Sequence, residues 1–315
     1  MNEIKFHYLP KNTSNYIATI AIGKRYYSNW KKYVLKNWLN YCKKNSIGLL
    51  VVYKELVDKK HNNWKSPNWQ KLLIGNLLQK NKIDISNICY LDTDILINPL
   101  APNVFDKFNK NKISLVSQVK NIPYQLDEIR RKIAFNRHHF YSKKYPLDSS
   151  LFMSLNQIYK FHQVPTQNDY ACSGFFIFNI KNHSDILKKI FDKYNINTKT
   201  LTGGEEPLFN YEILKNNKIQ WLDYKFQALW IYEICYRFPF LYEQKINYNS
   251  LTKKCIEYCL MDNYFLHFAG SWYESNMWKQ KNIFQSKKIN SMNSKFKNYN
   301  KIKLKGSPKG RIVGK

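Results

Sequence analysis

Several signatures are missing from this 315-residue chain. It has no G-x-G-x-x-G and no G-x-x-x-x-G-K-[ST] loop, so the common glycine-rich phosphate cradles are excluded. It has no G-x-S-x-G elbow and no internal repeat, which removes the α/β-hydrolase turn and the solenoid and propeller architectures. The opening MNEIKFHYLP lacks an apolar core, so no signal peptide is expected. No window of 18 residues is free of charge. The most apolar stretch, 221–242, is interrupted by Asp223, Lys225, Glu233 and Arg237, against a membrane span. The cysteines Cys42, Cys89, Cys172, Cys235, Cys255 and Cys259 are scattered. The lone C-x3-C at Cys255 and Cys259 lacks the second pair that structural zinc needs, so reduced thiols in the cytoplasm are expected. Acids are scarce as well, 22 against 51 Lys and Arg, for a net charge of +29.

What is present is ample core material, 44% hydrophobic and 16% aromatic, enough for one large globular domain. Residues 279–315 hold eleven Lys, one Arg and no acid, and read as a mobile basic tail after a domain spanning 1–278. The abundance of Lys, Asn, Ile and Tyr matches an AT-rich genome, so basicity alone does not choose among nucleic acid, an anionic membrane and phosphorylated ligands.

Alternating strand and helix signals predict an α/β fold. Residues 16–22 read as a buried strand closed by Gly23, followed by a helix from Ser28 to about Lys44 and a strand over 49–53 begun by Gly48. This is a parallel βαβ unit. A second helix is predicted over 66–78, with Pro67 near its start, and leads to a strand over 88–91. A short helix at 104–108 and a strand at 113–117 follow. Residues 118–168, with Arg130, Arg131, Arg137, His138 and His139, read as a helical insertion lying over the site. Further strands are expected at 171–179, 219–222 and 264–270, with helices at 184–194 and from Gly203-Gly204 onward.

The chemistry gathers at Tyr90-Leu91-Asp92-Thr93-Asp94-Ile95-Leu96. Side chains at i and i+2 of an extended chain share a face, so Asp92 and Asp94 form a like-charged pair at the end of a buried strand. A divalent cation relieves that repulsion; turn-capping aspartates are the structural alternative. Open α/β sheets place ligands at the carboxyl ends of strands, where this pair falls.

Four segments in one order resemble the GT-A-fold glycosyltransferases, nearest to glycosyltransferase family 8, the glycogenin and bacterial galactosyltransferase group. They are Trp69-Gln70-Lys71-Leu72, the Asp92-Thr93-Asp94 strand with Asn98 and Phe105, Ser173-Gly174 running into Phe178-Asn179, and His267-Phe268-Ala269-Gly270. The run Glu205-Glu206-Pro207-Leu208-Phe209-Asn210 is similar to the family's D-Q-D-x-L-N. The resemblance covers about residues 16–275. It implies a GT-A, Rossmann-like, mostly parallel sheet flanked by helices, and transfer of a sugar from a nucleotide-sugar donor, UDP-linked ahead of GDP-linked. The implied acceptor is a glycan or lipid-linked saccharide in surface polysaccharide synthesis.

By the same resemblance Asp92, Asp94 and His267 hold a metal, Mn2+ ahead of Mg2+ given the mixed oxygen and nitrogen donors. Ala21, Gly23, Lys71, Asp92, Ser173, Gly174 and Gly270 contact the donor, with Tyr26 or Tyr27 stacking on its base. Lys71 read alone is equally a solvated helix lysine, and His267 a core histidine. Glu205 and Glu206 are the catalytic carboxylates, as base, stabiliser or nucleophile, or else first-turn acids that support a helix. A retaining outcome is implied. The chain departs from the pattern at Cys172, where the family has Asn, and after Gly270, where Lys-Pro is missing; Lys279 is the candidate replacement. The basic tail would rest on an anionic membrane. A nucleic-acid-binding module and a degenerate transferase fold kept for binding are the competing readings; Asp92 and Asp94 would repel a nucleic acid.

Overall fold

The computed structural model describes residues 2–140, 150–194, 204–216, 218–243, 249–270 and 272–283. Among the described residues, ten strands form two sheets: β1 (Ile4–Tyr8), β2 (Asn15–Ile20), β3 (Gly48–Val52), β4 (Asn87–Leu91), β5 (Ile95–Ile97), β6 (Ile113–Val116), β7 (Phe175–Asn179), β8 (Ile219–Leu222), β9 (Ala228–Leu229) and β10 (Phe265–His267). The larger sheet has seven strands in the order β1-β3-β2-β4-β7-β6-β8, and the smaller has three, β5-β10-β9. The mixed α/β class expected from the sequence is observed. The mixed, mostly parallel sheet is observed too: β3, β2, β4, β6 and β8 run in one direction, and β1 and β7 run against them.

Both faces of the large sheet are covered, and the alternation along each strand shows how. Ile17, Leu49, Val51, Cys89, Leu91, Phe175 and Ile177 pack into one core, while Ala18, Leu50, Val52, Ile88, Tyr90, Phe176 and Phe178 pack into the other. Burying each such large side chain contributes about 1.5–3 kcal/mol before entropy is charged against it.

Several local expectations are corrected. The predicted helix over 28–44 starts at Lys24 and is divided at Val34 into Lys24–Tyr33 and Leu35–Asn45, so Ser28 lies inside the first half instead of capping it. The helix after Ser66 runs Pro67–Gln70, tightens to a 3-10 turn at Lys71–Leu73, and resumes at Ile74–Lys80. The predicted helix at 104–108 is a run of turns. Asn103 accepts the Phe105 amide at 3.0 Å, and the Gln220 side chain takes Lys107 O and Asn109 N, so side-chain and tertiary bonds replace the helical ladder. Strands β1 and β5 were not expected; one is near the terminus and the other only three residues long.

Helices Leu126–Phe140 and Leu155–Phe161 lie in the insertion. The first packs on the helix Trp230–Arg237 and on the 3-10 turn Pro239–Tyr242. Among the described residues, no helix is long and apolar enough to cross a membrane. The six cysteines are free, as expected. Residues 284–315, and with them most of the basic tail, fall outside the described residues, as does Gly203.

Strand β5 is tied to the helix Leu35–Asn45 by two side chains, Trp38, whose Nε1 donates to Ile95 O at 2.8 Å, and Asn37. Asn37 Nδ2 donates to Ile97 O at 2.7 Å and Asn37 Oδ1 accepts Ile97 N at 2.7 Å, so this side chain pairs with the strand edge as a neighbouring backbone would. Asn37→Ala leaves both groups buried without partners. It is expected to lower unfolding free energy by about 2–4 kcal/mol, read as a shifted urea midpoint at constant slope. An unchanged midpoint contradicts this.

Candidate active site

The two aspartates leave the carboxyl end of β4, and the ladder carries on past that end: Asp92 N donates to Gly174 O at 2.8 Å. Antiparallel pairing of β10 with β5 sets His267 opposite Ile95, the residue after Asp94, and Phe268 N donates to Asp94 O at 3.2 Å. The three side chains therefore meet because a strand 170 residues downstream docks beside the chain leaving the pair. His267 Nε2 lies 3.4 Å from Asp94 Oδ1 and 3.8 Å from Asp92 Oδ2. One donor atom from each residue falls within 4.8 Å of the others, a spacing that one cation can span. The Tyr90 hydroxyl donates to Asp92 Oδ1 at 2.7 Å and aims that carboxylate.

Gly174 tests the fit of a metal. A Cβ built on it would stand 2.3 Å from His267 Cε1 and 2.7 Å from Asp92 Oδ2. Any side chain there would fill the space between the donors. The absent side chain, the two hard carboxylate oxygens and the imidazole nitrogen together suit a divalent cation such as Mn2+ or Mg2+.

Behind the pair lies a second cluster. Lys71 forms an ion pair with Glu205; both side chains are buried, and Lys71 Nζ donates to Ser173 O at 2.9 Å and Ser173 Oγ at 3.0 Å. This excludes the solvated-lysine reading. Burial would pull the Lys71 pKa down, but Glu205 and Asp92 outweigh it and hold the ammonium above its ordinary value. The Ser173 hydroxyl donates to Glu205 at 2.6 Å. Glu206 accepts Ser173 N at 2.9 Å and has no ion pair among the described residues. Burial raises its pKa.

These groups line one cleft of about 760 Å³, bounded by Ile20, Ile22, Tyr26, Asn68, Lys71, Asp92, Asp94, Ser173, Glu205, Glu206, His267 and Gly270, among others. Of the expected donor residues, Ala21 is corrected. It is buried at 1% exposure in the core, and strand alternation gives the cleft wall to Ile20 and Ile22 instead. Gly23 is the N-cap of the helix Lys24–Tyr33, at φ +94, and does not line the cleft. Tyr26 lines it, whereas Tyr27 packs on Trp30 and Tyr53. Lys279 donates to Asn276 Oδ1 at 2.6 Å and is not among the cleft residues, so it does not replace the missing lysine. No described residue of the insertion lines the cleft, and residues 141–149 of the insertion lie outside the described residues.

Sequence reading missed Gln227. It is fully buried, and its Nε2 lies 3.2 Å from His267 Nδ1 and donates to Cys172 O at 3.0 Å. Cys172 Sγ stands 3.6 Å from the same Nδ1. No local pattern marks Gln227; only the pairing of β9 with β10 brings it there.

No protein-family model matches the chain, and no curated protein matches it. Among solved structures it is similar to several glycosyltransferases. One, involved in glycosylation of the major capsid of PBCV-1, is 9% identical with TM-score 0.48, over 84% of this chain and 98% of that one. The bifunctional WbbM in its apo form is 9% identical with TM-score 0.49, over 90% of this chain, which spans 52% of WbbM. The galactosyltransferase LgtC, in complex with donor and acceptor sugar analogues, is 10% identical with TM-score 0.44, over 89% of this chain and 95% of LgtC. Likeness at this level leaves the function to be read from the cleft itself.

Two outcomes follow from this geometry. Gly174→Ala is expected to weaken Mn2+ binding about tenfold or more while far-UV circular dichroism stays native; undiminished Mn2+ affinity in a folded variant contradicts the cradle. The second concerns pH. Burial lowers the His267 pKa, but Cys172 and Asp94 raise it, and the net pKa lies well above 6.5. Burial pushes the Cys172 thiol up to about 11, and the hydrogen bond and charge of Asp94 also favour the imidazolium. A group with a raised pKa must give up its proton to bind a metal. Mn2+ affinity should therefore fall by up to about tenfold per unit as pH drops below that pKa, and binding at neutral pH should release about one proton. Calorimetry in buffers of different ionisation heat reads the proton; binding heats that do not vary with buffer would contradict it.

Proposed function

We propose that this protein is a metal-dependent glycosyltransferase that moves a sugar from a nucleotide-sugar donor to a glycan or lipid-linked acceptor. The observation that carries this is the charge inventory of the cleft. Asp92, Asp94, Glu205 and Glu206 line it, and Lys71 is the sole Lys or Arg among its described lining residues. Lys71 is already paired with Glu205. Such a wall repels a diphosphate, as it would a nucleic-acid backbone, unless a cation enters first. Asp92, Asp94 and His267 supply the place for that cation, beside the buried carboxylates that a sugar-transfer centre needs.

When bound, a divalent metal at these residues offsets the negative charge that develops on a nucleoside diphosphate leaving group. The chain's own groups do the rest. Tyr90 orients Asp92, and Lys71 with Ser173 fixes Glu205, which supports the wall. Glu206, held by the Ser173 amide and free of an ion pair among the described residues, is the carboxylate presented to the reacting sugar as base or stabiliser. Tyr26, 66% exposed at the rim, offers a ring to the donor base. The resemblance to family 8 extends the proposal to a UDP-sugar, to Mn2+, to retention of anomeric configuration and to surface polysaccharide synthesis. The basic tail adds peripheral contact with an anionic membrane.

A donor panel by calorimetry tests this. One UDP- or GDP-sugar is expected to bind with Mn2+ and to lose about tenfold or more in affinity without it, or in Asp94→Ala. Donor binding indifferent to metal and mutation overturns the proposal.

A further inference from the structure

The inserted helix Leu126–Phe140 adds no residue to the cleft lining, yet it reaches the cleft rim through a buried ion pair. Arg137 Nε donates to Glu274 Oε1 at 2.8 Å, and Nη2 donates to the same oxygen. The two side chains are 3% and 0% exposed. The guanidinium carbon also lies 5.7 Å from the Trp272 ring centroid. Glu274 opens the single 3-10 turn Glu274–Asn276. The next residue, Ser275, donates from Oγ to Ala269 O at 2.8 Å, and Ser275 Oγ lies 3.0 Å from where a Cβ on Gly270 would stand. Ala269 and Gly270 line the cleft. Beyond the turn, Met277 and Trp278 are buried in the core, Trp278 edge-on to Tyr33 at 5.9 Å.

The rim therefore hangs between two anchors. On one side is β10, which ends at His267; on the other is the turn that Arg137 holds. Gly270 itself sits at φ +102, a conformation with no helix or strand to maintain it. A fully buried charge pair is expensive to desolvate, and its best-attested use is to select one geometry. We propose that Arg137 is a positioning residue for the cleft rim: through Glu274 and Ser275 it fixes Ala269 and Gly270 against the bound donor. This rests on the reading of the cleft as a nucleotide-sugar site. Arg137, buried in its ion pair, acts through the rim and does not touch the donor.

Two variants test it in the full chain. Ser275→Ala removes one hydroxyl and strands no charge; the double variant Arg137→Met with Glu274→Met removes the pair together. Both are expected to speed exchange of the Phe268 amide, which donates to Asp94 O where the rim leaves β10, about tenfold or more. Both should also weaken Mn2+-dependent binding of UDP or GDP about fivefold or more, with Mn2+ affinity alone kept within about twofold. If the double variant does not fold, Ser275→Ala decides. Native exchange rates and native nucleotide affinity in a folded variant overturn the inference. A wild-type chain that binds neither UDP nor GDP with Mn2+ overturns the functional proposal instead, and amide exchange still decides the bracing.

Discussion

Repulsion among carboxylates is the constraint on which the rest of this structure depends. Four of them converge on one cleft, and the chain meets their charge in two ways. Glu205 is neutralised internally by Lys71, in a pair so well enclosed that losing one partner would cost about 3–5 kcal/mol. Among the described residues, neither Asp92 nor Asp94 forms an ion pair with a lysine or arginine. They face His267, an exchangeable cation that a metal can displace by taking its proton. The first solution builds the wall of the site. The second leaves the site dependent on what binds there.

The sheet arrangement follows from the need to bring these groups together. Strand β7 runs antiparallel beside β4, so Gly174 lies against Asp92 at the strand ends, and Ser173 follows it toward Lys71 and the two glutamates. Strand β10 then returns beside β5 to add His267. Three distant parts of the chain thus share a few ångströms, and each is placed by backbone pairing instead of a flexible loop. A site built on paired strands holds its geometry before ligand arrives.

Much of this was legible in the sequence, for identifiable reasons. The Asp92–Asp94 pair stood out because an apolar strand ran directly into it, and His267 because the run His267-Phe268-Ala269-Gly270 resembles the family's terminal motif. Lys71 was ambiguous, since helical periodicity reports a face and not the partner awaiting it; only the fold brings Glu205 to its ammonium. Ala21, expected beside the donor, is buried in the core while its neighbours Ile20 and Ile22 line the cleft, because one position along a strand reverses the side chain. Gln227 and the Arg137–Glu274 pair left no local trace at all, because partners 40 and 137 residues apart are set by topology. The break at Val34 and the turns at 104–108 show the same limit. Tertiary bonds and packing there prevail over local helical preference.

Asp92, Asp94 and His267 are proposed to hold one divalent cation, which in turn holds the nucleotide diphosphate. Electron spin-echo spectroscopy of the full chain loaded with Mn2+ and UDP tests it most directly. The account predicts a single bound Mn2+ that shows both imidazole nitrogen coupling, lost in His267→Ala, and phosphorus coupling from the nucleotide. Bound UDP without phosphorus coupling to Mn2+, or a Mn2+ signal indifferent to His267→Ala, would contradict it.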